Sequence, residues 1–221
     1  MLKKSLISLF VTGALVTAAN AAEVQPNGYL FGHIGQSDAR VSSLARDLDA
    51  IAEDAAGIFA LTGSSSYDEK DTAYKVGAGI QLNRHVAVEF QYTDLGKVTY
   101  RARGSNEFGD SGQLRANAST DGFGANLVGT LPFDRFKLFG KVGYHKLKTK
   151  ARYSESITVA GVFSDSFSES DSTTEWVTSY GVGASYAFTH ELELVADYER
   201  YRNVADEYHV DVATIGLRYN F

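Results

Sequence analysis

The residues best suited to chemistry in this chain are a histidine and an aspartate near its end. His209 and Asp211 lie two residues apart, and serines are frequent in the segments that interrupt the regular patterns. A serine, a histidine and an aspartate held together form the catalytic triad of many hydrolases. Serine and histidine are common in loops, so this pairing is a hypothesis that only geometry can support.

Cofactor and metal chemistry have weaker support. The chain has no cysteine, which excludes thiol catalysis and cysteine metal sites. The Gly-rich pairs at 77–79 and 181–183 lack P-loop spacing, and no helical pattern follows them. Paired ligand spacing such as HExxH is missing from the histidines, which are His33, His85, His145, His190 and His209. We therefore predict no metal, cofactor or nucleotide site.

Charged residues alternate with apolar ones, which places them on β-strands. In the last segment Ile215, Leu217, Tyr219 and Phe221 share one face, and Arg218 lies on the other. Because successive strand residues point to opposite faces, each strand has an apolar face and a polar one. On the polar faces we predict an inward ion-pair network of His33, Lys75, Glu89, Lys141, Glu193, Asp197, Glu199 and Arg218.

Eight such runs follow one another along the chain. Short turns near residues 84, 134 and 190 alternate with longer segments near 39–70, 98–118 and 151–174, which we interpret as extracellular loops. Strands with an apolar face outward, short turns at one end and long loops at the other are typical of a membrane barrel. The sequence therefore predicts an all-β fold, an eight-stranded antiparallel up-and-down transmembrane β-barrel.

Aromatic residues fall at two heights on the apolar faces, as the two interfaces of a membrane favour. Near the long segments we place Tyr74, Tyr92, Tyr144, Tyr180 and Tyr198. Near the short turns we place Phe136, Tyr186, Phe188, Tyr219 and Phe221. A soluble sandwich or a lipocalin-like cup is the alternative, but such a fold would turn its apolar face inward.

The first 21 residues have the pattern of an export signal. Two lysines precede an apolar core over 6–19, and Ala19-Asn20-Ala21 fits the cleavage rule. The alternative is a membrane-anchoring helix, for which the apolar run is short. We predict a signal peptide over 1–21 and a barrel domain over 22–221. Cleavage changes the formal net charge from −6 to −8, which argues against nucleic acid as a partner.

Two of the longer segments carry patterns of their own. Leu44, Leu48 and Ile51 recur at helical spacing, so we predict a short amphipathic helix over 42–56 across the barrel mouth. A disordered acidic loop is the alternative. Within 151–174 serines alternate with apolar residues, which indicates that the hairpin continues beyond the membrane and offers edges for strand addition.

Three segments carry a resemblance to a known family. They are Gly28 to Ser37 in the first strand, Val88 to Tyr92 in the third, and the terminal Phe221. With them the mature chain resembles the OmpA-type transmembrane domain and its small outer-membrane barrel relatives. The resemblance implies an integral protein of the bacterial outer membrane, surrounded by lipid and lipopolysaccharide, with a C-terminal Phe read by the barrel-assembly machinery. It also implies an internal ion-pair gate. The sequence stops at Phe221, so we expect neither the peptidoglycan-binding domain of OmpA nor wall anchoring.

These observations favour a monomeric, non-enzymatic barrel with a structural or surface-interaction role in the cell envelope, whose loops are available to an extracellular ligand. The alternative is a narrow gated diffusion channel, porin-like, in which Glu89 pairs with Arg218 or with Lys141. A third hypothesis is an outer-membrane lipid-modifying enzyme that uses His209. The two-residue period turns Val142 toward lipid and Lys141 into the lumen. It therefore predicts that Val142→Arg damages the barrel more than Lys141→Gln does, unless the loss of Lys141 leaves a buried partner unpaired.

Overall fold

The computed structural model describes residues 27–40, 49–50, 53, 62–159, 162–204 and 208–221. The predicted signal peptide lies outside these residues, and so does most of the predicted helix, of which Asp49, Ala50 and Glu53 are helical. Within the described ranges, no helix is long and apolar enough to cross a membrane. The strands are β1 (Asn27–Arg40), β2 (Thr62–Asp68), β3 (Lys70–Asn83), β4 (Val86–Ser105), β5 (Ser111–Phe133), β6 (Phe136–Val159), β7 (Phe163–Ala187), β8 (Leu192–Val204) and β9 (Tyr208–Asn220).

Eight of these strands close into a ring. Strand β1 pairs with β3 on one side and with β9 on the other, and the remaining strands pair in chain order from β3 to β9. All of these pairs are antiparallel. Strand β2 is an extension, because it precedes β3 by one residue and pairs with the far end of β4. The prediction of an eight-stranded up-and-down barrel is confirmed.

Three tight turns join strands at one end of the barrel, as predicted near residues 84, 134 and 190. The Asn83 Oδ1 atom accepts hydrogen bonds from the backbone N–H groups of His85 and Val86 at 2.8 and 2.9 Å. Asp134 adopts a positive φ of 56°, a conformation that Asp tolerates in turns. The Thr189 hydroxyl accepts the backbone N–H of Leu192 at 3.0 Å. Local side-chain acceptors therefore fix the short-turn end.

At the opposite end the strands run on in pairs. Strands β4 and β5 shift register at a bulge over 94–97 and then pair as far as Ser105 and Ser111, so the interpretation of 98–118 as a loop is corrected: only residues 106–110 connect the two strands. Strands β6 and β7 likewise pair as far as Val159 and Phe163, as the alternation within 151–174 indicated. The alternation simply continues with water in place of lipid outside, which is why charged residues replace the apolar ones on the outer face.

Candidate functional site in the barrel lumen

The polar faces of the strands point into the barrel, where four cations meet four carboxylates. Every member of the sequence-predicted network is buried: His33, Lys75, Glu89, Lys141, Glu193, Asp197, Glu199 and Arg218. Lys137 joins them through an ion pair with Glu193, its Nζ atom lying 2.5 Å from the carboxylate. The charges of Lys75, Lys137, Lys141 and Arg218 balance those of the four acids. Buried charges require such partners, because an isolated one costs several kcal/mol.

The central ionic layer consists of Lys75, Lys141, Asp197 and Glu199. The Glu199 Oε2 atom accepts from Lys75 Nζ at 2.8 Å and lies 2.9 Å from Lys141 Nζ. Lys141 also contacts Asp197, and Lys75 lies 3.4 Å from the same carboxylate. Each ammonium group therefore shares two carboxylates, and each carboxylate shares two ammonium groups.

Neutral polar groups complete this central ionic layer. Ser179 donates its hydroxyl to the second oxygen of Glu199 at 2.7 Å, and Thr214 donates to Asp197. The His145 Nε2 atom lies 3.0 Å from the Ser179 hydroxyl and 3.1 Å from the Asn126 Oδ1 atom. These contacts satisfy oxygens that the two lysines leave free. They also join β5, β6, β7, β8 and β9 across the lumen.

A lower ionic layer lies nearer the short turns and is built around Arg218. Its Nη2 atom lies 3.0 Å from Glu89 Oε1, and its Nη1 atom lies 3.9 Å from Glu193 Oε2. The Tyr29 hydroxyl donates to the same Glu89 oxygen at 2.8 Å, and the guanidinium lies 4.4 Å from the centre of the Tyr29 ring. Of the two pairings named for Glu89, the structure contains the one with Arg218, whereas Lys141 contacts Asp197 and Glu199 instead.

Two apolar clusters lie above and below the central ionic layer. The lower apolar cluster consists of Tyr29, Phe31, Ala87, Val128, Phe139 and Val195. The upper apolar cluster consists of Ala39, Ala73, Leu95, Leu147, Val177, Tyr201, Val204, Tyr208, Val210 and Val212. Along β6 the order is Lys137, Phe139, Lys141, His145 and Leu147, so ionic and apolar residues alternate with height. The central ionic layer is thereby enclosed on both sides by hydrocarbon.

Sequence reasoning did not identify the apolar clusters, although one signal was present. Tyr29 and Phe31 share the inward parity of His33, and glycines lie opposite them on β3 in the β1–β3 register. A Cβ atom on Gly79 would overlap the Tyr29 ring, and one on Gly77 would lie 2.6 Å from the Phe31 ring. The inward glycines therefore make room for large inward side chains.

The other candidate residues lie outside the lumen. Asp211 is held by the guanidinium of Arg200, with Nη2 to Oδ2 at 2.7 Å, on the outward face of β9. Among the described residues no serine hydroxyl is hydrogen-bonded to His209. The structure therefore does not bring His209, Asp211 and a serine together. Nor do the described residues contain a group of three or more His, Asp or Glu side chains arranged to hold a metal ion.

The structure places the ten predicted girdle aromatics on the outward parity of their strands. Tyr144 stacks on Trp176 with ring centres 4.8 Å apart and planes 5° apart. Tyr92 packs on Phe123 at 5.0 Å. At the other end Tyr186 and Phe188 meet edge to face at 5.4 Å. Trp176 and Phe123, which the sequence reasoning left out, extend the aromatic row near the long hairpins.

Beyond that row, one carboxylate ties the segment after β1 to the extended hairpin. Asp49 accepts hydrogen bonds from the Tyr67 hydroxyl at 2.5 Å and the Tyr100 hydroxyl at 3.1 Å. The Tyr67 hydrogen bond is the main reason that the pKa of Asp49 lies below its ordinary value. Burial, with a further contribution from Asp49, raises the pKa of Tyr100 to about 12. The link is thus made by an ionised Asp49, and it weakens as the pH falls through that lowered pKa or rises through the pKa of Tyr100.

The family model described as "Outer membrane protein beta-barrel domain" matches residues 7–221. The chain belongs to this family. It is accordingly an integral protein of the bacterial outer membrane. No curated protein matches the chain.

Several solved structures of bacterial outer-membrane barrels are similar in fold to this chain, at low sequence identity. Neisserial surface protein A is 13% identical, with 88% of this chain and 97% of that chain covered and a TM-score of 0.47. The attachment invasion locus protein Ail of Yersinia pestis is 14% identical, with 90% and 100% covered and a TM-score of 0.43. The N-terminal barrel of Pseudomonas aeruginosa OprF is 12% identical, with 89% and 100% covered and a TM-score of 0.42.

Proposed function

We propose that this family member is a non-conducting, non-enzymatic barrel that anchors paired β-hairpins at the cell surface. The observation that carries the proposal is the closure of the lumen. The central ionic layer is charge-balanced and buried, and an apolar cluster lies on each side of it. An ion would have to cross both apolar clusters and break shared ion pairs, each of which is costly.

The orientation of the barrel is part of the proposal. Barrels of this membrane have short periplasmic turns and longer outer connections. The tight turns of this chain would then lie in the periplasm, and the β4–β5 and β6–β7 hairpins would project outward. Strand β6 continues 15 residues past Tyr144, which is about 50 Å along the strand at ~3.3 Å per residue. Exposed apolar side chains near the tips, Phe108, Val162, Phe163 and Phe167, support a role in contact with another surface.

Further parts of the proposal concern assembly and enzymology. Phe221 is exposed, and its backbone N–H donates to the Gly28 carbonyl at 3.0 Å, which leaves the terminal ring on the outside of the barrel seam. An outward terminal ring supports recognition by the assembly machinery. The pairing of Asp211 with Arg200 supports the absence of a lipid-processing triad.

A gated channel is the second candidate, because Arg218 lies within reach of two carboxylates on different strands. The guanidinium is 3.0 Å from Glu89 and 3.9 Å from Glu193. Movement of Arg218 toward Glu193 would free Glu89 and loosen the lower apolar cluster around Tyr29. Such a gate would still leave the upper apolar cluster in place, so we rank it second.

Planar-bilayer recording separates the two candidates. We expect purified wild-type protein to give no stepwise conductance, because two apolar clusters of the described residues interrupt the polar lining of the lumen. We expect the charge reversal Glu89→Lys to reduce barrel stability without producing regular conductance steps. Regular conductance steps in the wild type that change size in Arg218→Glu would contradict the proposal and establish the channel.

A further inference from the structure

The outward face of β4, β5 and β6 carries a concentrated positive charge just beyond the aromatic row. Its cations, which we call the basic band, are Lys97, Arg101, Arg103, Arg115, Lys146, Lys148, Lys150 and Arg152, all of them exposed. Only two acids, Asp94 and Asp121, share this face. The chain as a whole has a net charge of −6, so eight cations against two acids is a local reversal of its overall charge.

The strand register shows how closely the band follows the membrane interface. Lys146 lies in the same row as Phe123 and Trp176, and its Nζ atom is 6.0 Å from the centre of the Trp176 ring. Lys148 and Lys150 occupy the next two outward positions on β6. Two residues advance about 7 Å along a strand. The lower part of the band therefore lies at the height of lipid headgroups, immediately above the aromatic row.

The band is poorly neutralised by the protein itself. Lys150 lies 3.8 Å from Asp121, and among the described residues this is the single ion pair that the eight cations make. Arg101 lies directly opposite Arg115 in the β4–β5 register. Like charges facing each other across a strand pair are destabilising. Such an arrangement indicates that an external anion completes the site.

Hydroxyl groups beside the basic band indicate which class of anion it binds. On β7, next to β6, hydroxyl groups face Lys148, Lys150 and Arg152 in register: those of Thr174, Ser172 and Ser170. Cations and hydroxyl donors together are the groups that proteins use to bind phosphate. We propose that the basic band binds the phosphate groups of phosphorylated glycolipid headgroups in the outer leaflet of the membrane. The basic band is continuous with the aromatic row, so its lowest cations lie at the height of the lipid headgroups. This position favours a lipid over a soluble anion.

This inference rests on the proposed orientation, since the band must face the outer leaflet, but not on closure of the lumen. It can be tested in vesicles that contain the glycolipid in both leaflets, where orientation does not matter. Trp176 is the one tryptophan of the chain and borders the band, so its fluorescence reports on Lys146 and its surroundings. A channel-forming barrel would give the same binding result, so failure of the proposed function and failure of this inference are distinguishable.

The experiment measures Trp176 emission in phosphatidylcholine vesicles that contain increasing mole fractions of bisphosphorylated lipid A. The test variant is Lys148→Gln/Lys150→Gln, and the matched control is Arg84→Gln/Arg135→Gln, which removes two exposed cations at the short-turn end. A cation near an anionic surface contributes about a five-fold factor in affinity. We therefore expect the half-saturating mole fraction to rise roughly 30-fold in the test variant and less than about two-fold in the control.

Three outcomes would overturn the inference. One is a test variant that titrates like the wild type, and another is an equal response to lipid A stripped of its phosphates. The third is the same response to inorganic phosphate alone, which would assign the band to a soluble anion. Heat-modifiable gel migration checks that each variant is folded. If the double variant fails to fold, Lys148→Gln alone should show about a five-fold rise, and no rise would again overturn the inference.

Discussion

Replacing Lys141 by glutamine should lower the free energy of unfolding of the barrel by about 3–5 kcal/mol. Lys141 contacts both Asp197 and Glu199, and all three side chains are buried. Glutamine would leave two carboxylates with Lys75 as their one cation in the central ionic layer, and removing one partner of a buried pair leaves an uncompensated charge. The measurement is reversible urea unfolding in phospholipid vesicles.

Two variants serve as controls for this expectation. Lys70→Gln makes the same chemical change at an exposed strand end, and it should alter stability by less than about 0.5 kcal/mol. The double variant Lys141→Gln/Glu199→Gln restores charge balance and keeps Lys75 beside Asp197, so it should cost less than the sum of its single variants. Additive single effects would contradict a shared ionic layer.

Val142→Arg should lower the free energy of unfolding by about 2–4 kcal/mol, because an arginine on the lipid face near mid-membrane loses its hydration. Val142 is 58% exposed, on the outward parity of β6 between Phe136 and Tyr144. The matched control is Val142→Leu, which keeps an apolar side chain toward the lipid. The same urea unfolding in vesicles measures both variants. A loss no larger than that of Val142→Leu would mean that Val142 does not face hydrocarbon.

The expected order of these two variants reverses the one predicted from sequence. From strand parity alone, Lys141→Gln was predicted to be the milder change, unless it left a buried carboxylate without its cation. The structure contains that exception, since Lys141 lies between Asp197 and Glu199. Barrel facing was predictable because a two-residue period is kept near the short turns of every strand, and β4 changes face only at its bulge over 94–97. The stability cost of replacing an inward residue was not predictable, because it depends on which side chains lie at the same height in the lumen.

The limits of prediction are clearest in the ion pairs. Lys75 and Glu199 are 124 residues apart in the chain, yet their charged atoms lie 2.8 Å apart. Their contact depends on strand order, stagger and barrel closure together, and a local pattern encodes none of these. The pairing of Glu89 with Arg218 was one of two named possibilities, and only the register distinguishes them.

The extended hairpins show a different limit. Charged and hydroxyl residues in 98–118 resemble a loop by composition, although Tyr100 and Ala102 are buried while Arg101 and Arg103 are exposed. The alternation continued there without an apolar outer face. We therefore predicted too early an end to the strand, because we required an apolar side facing lipid. Once water is accepted as the outer environment and the inward face is allowed to change at the bulge over 94–97, a two-residue period predicts the strand as far as Ser105.

The most direct test of a sealed lumen is thiol accessibility, which this chain allows because it contains no cysteine. Ser179→Cys places a thiol in the central ionic layer with little change in size, and Ser172→Cys places one on the exposed outer face of the same strand. Both variants are treated with a charged, membrane-impermeant methanethiosulfonate, first on intact cells and then after purification into vesicles. We expect Ser172→Cys to be labelled on intact cells and Ser179→Cys to remain unlabelled in both preparations until the barrel is unfolded. Rapid labelling of Ser179→Cys in the folded protein would show that water and ions reach the central ionic layer, and it would contradict a closed barrel.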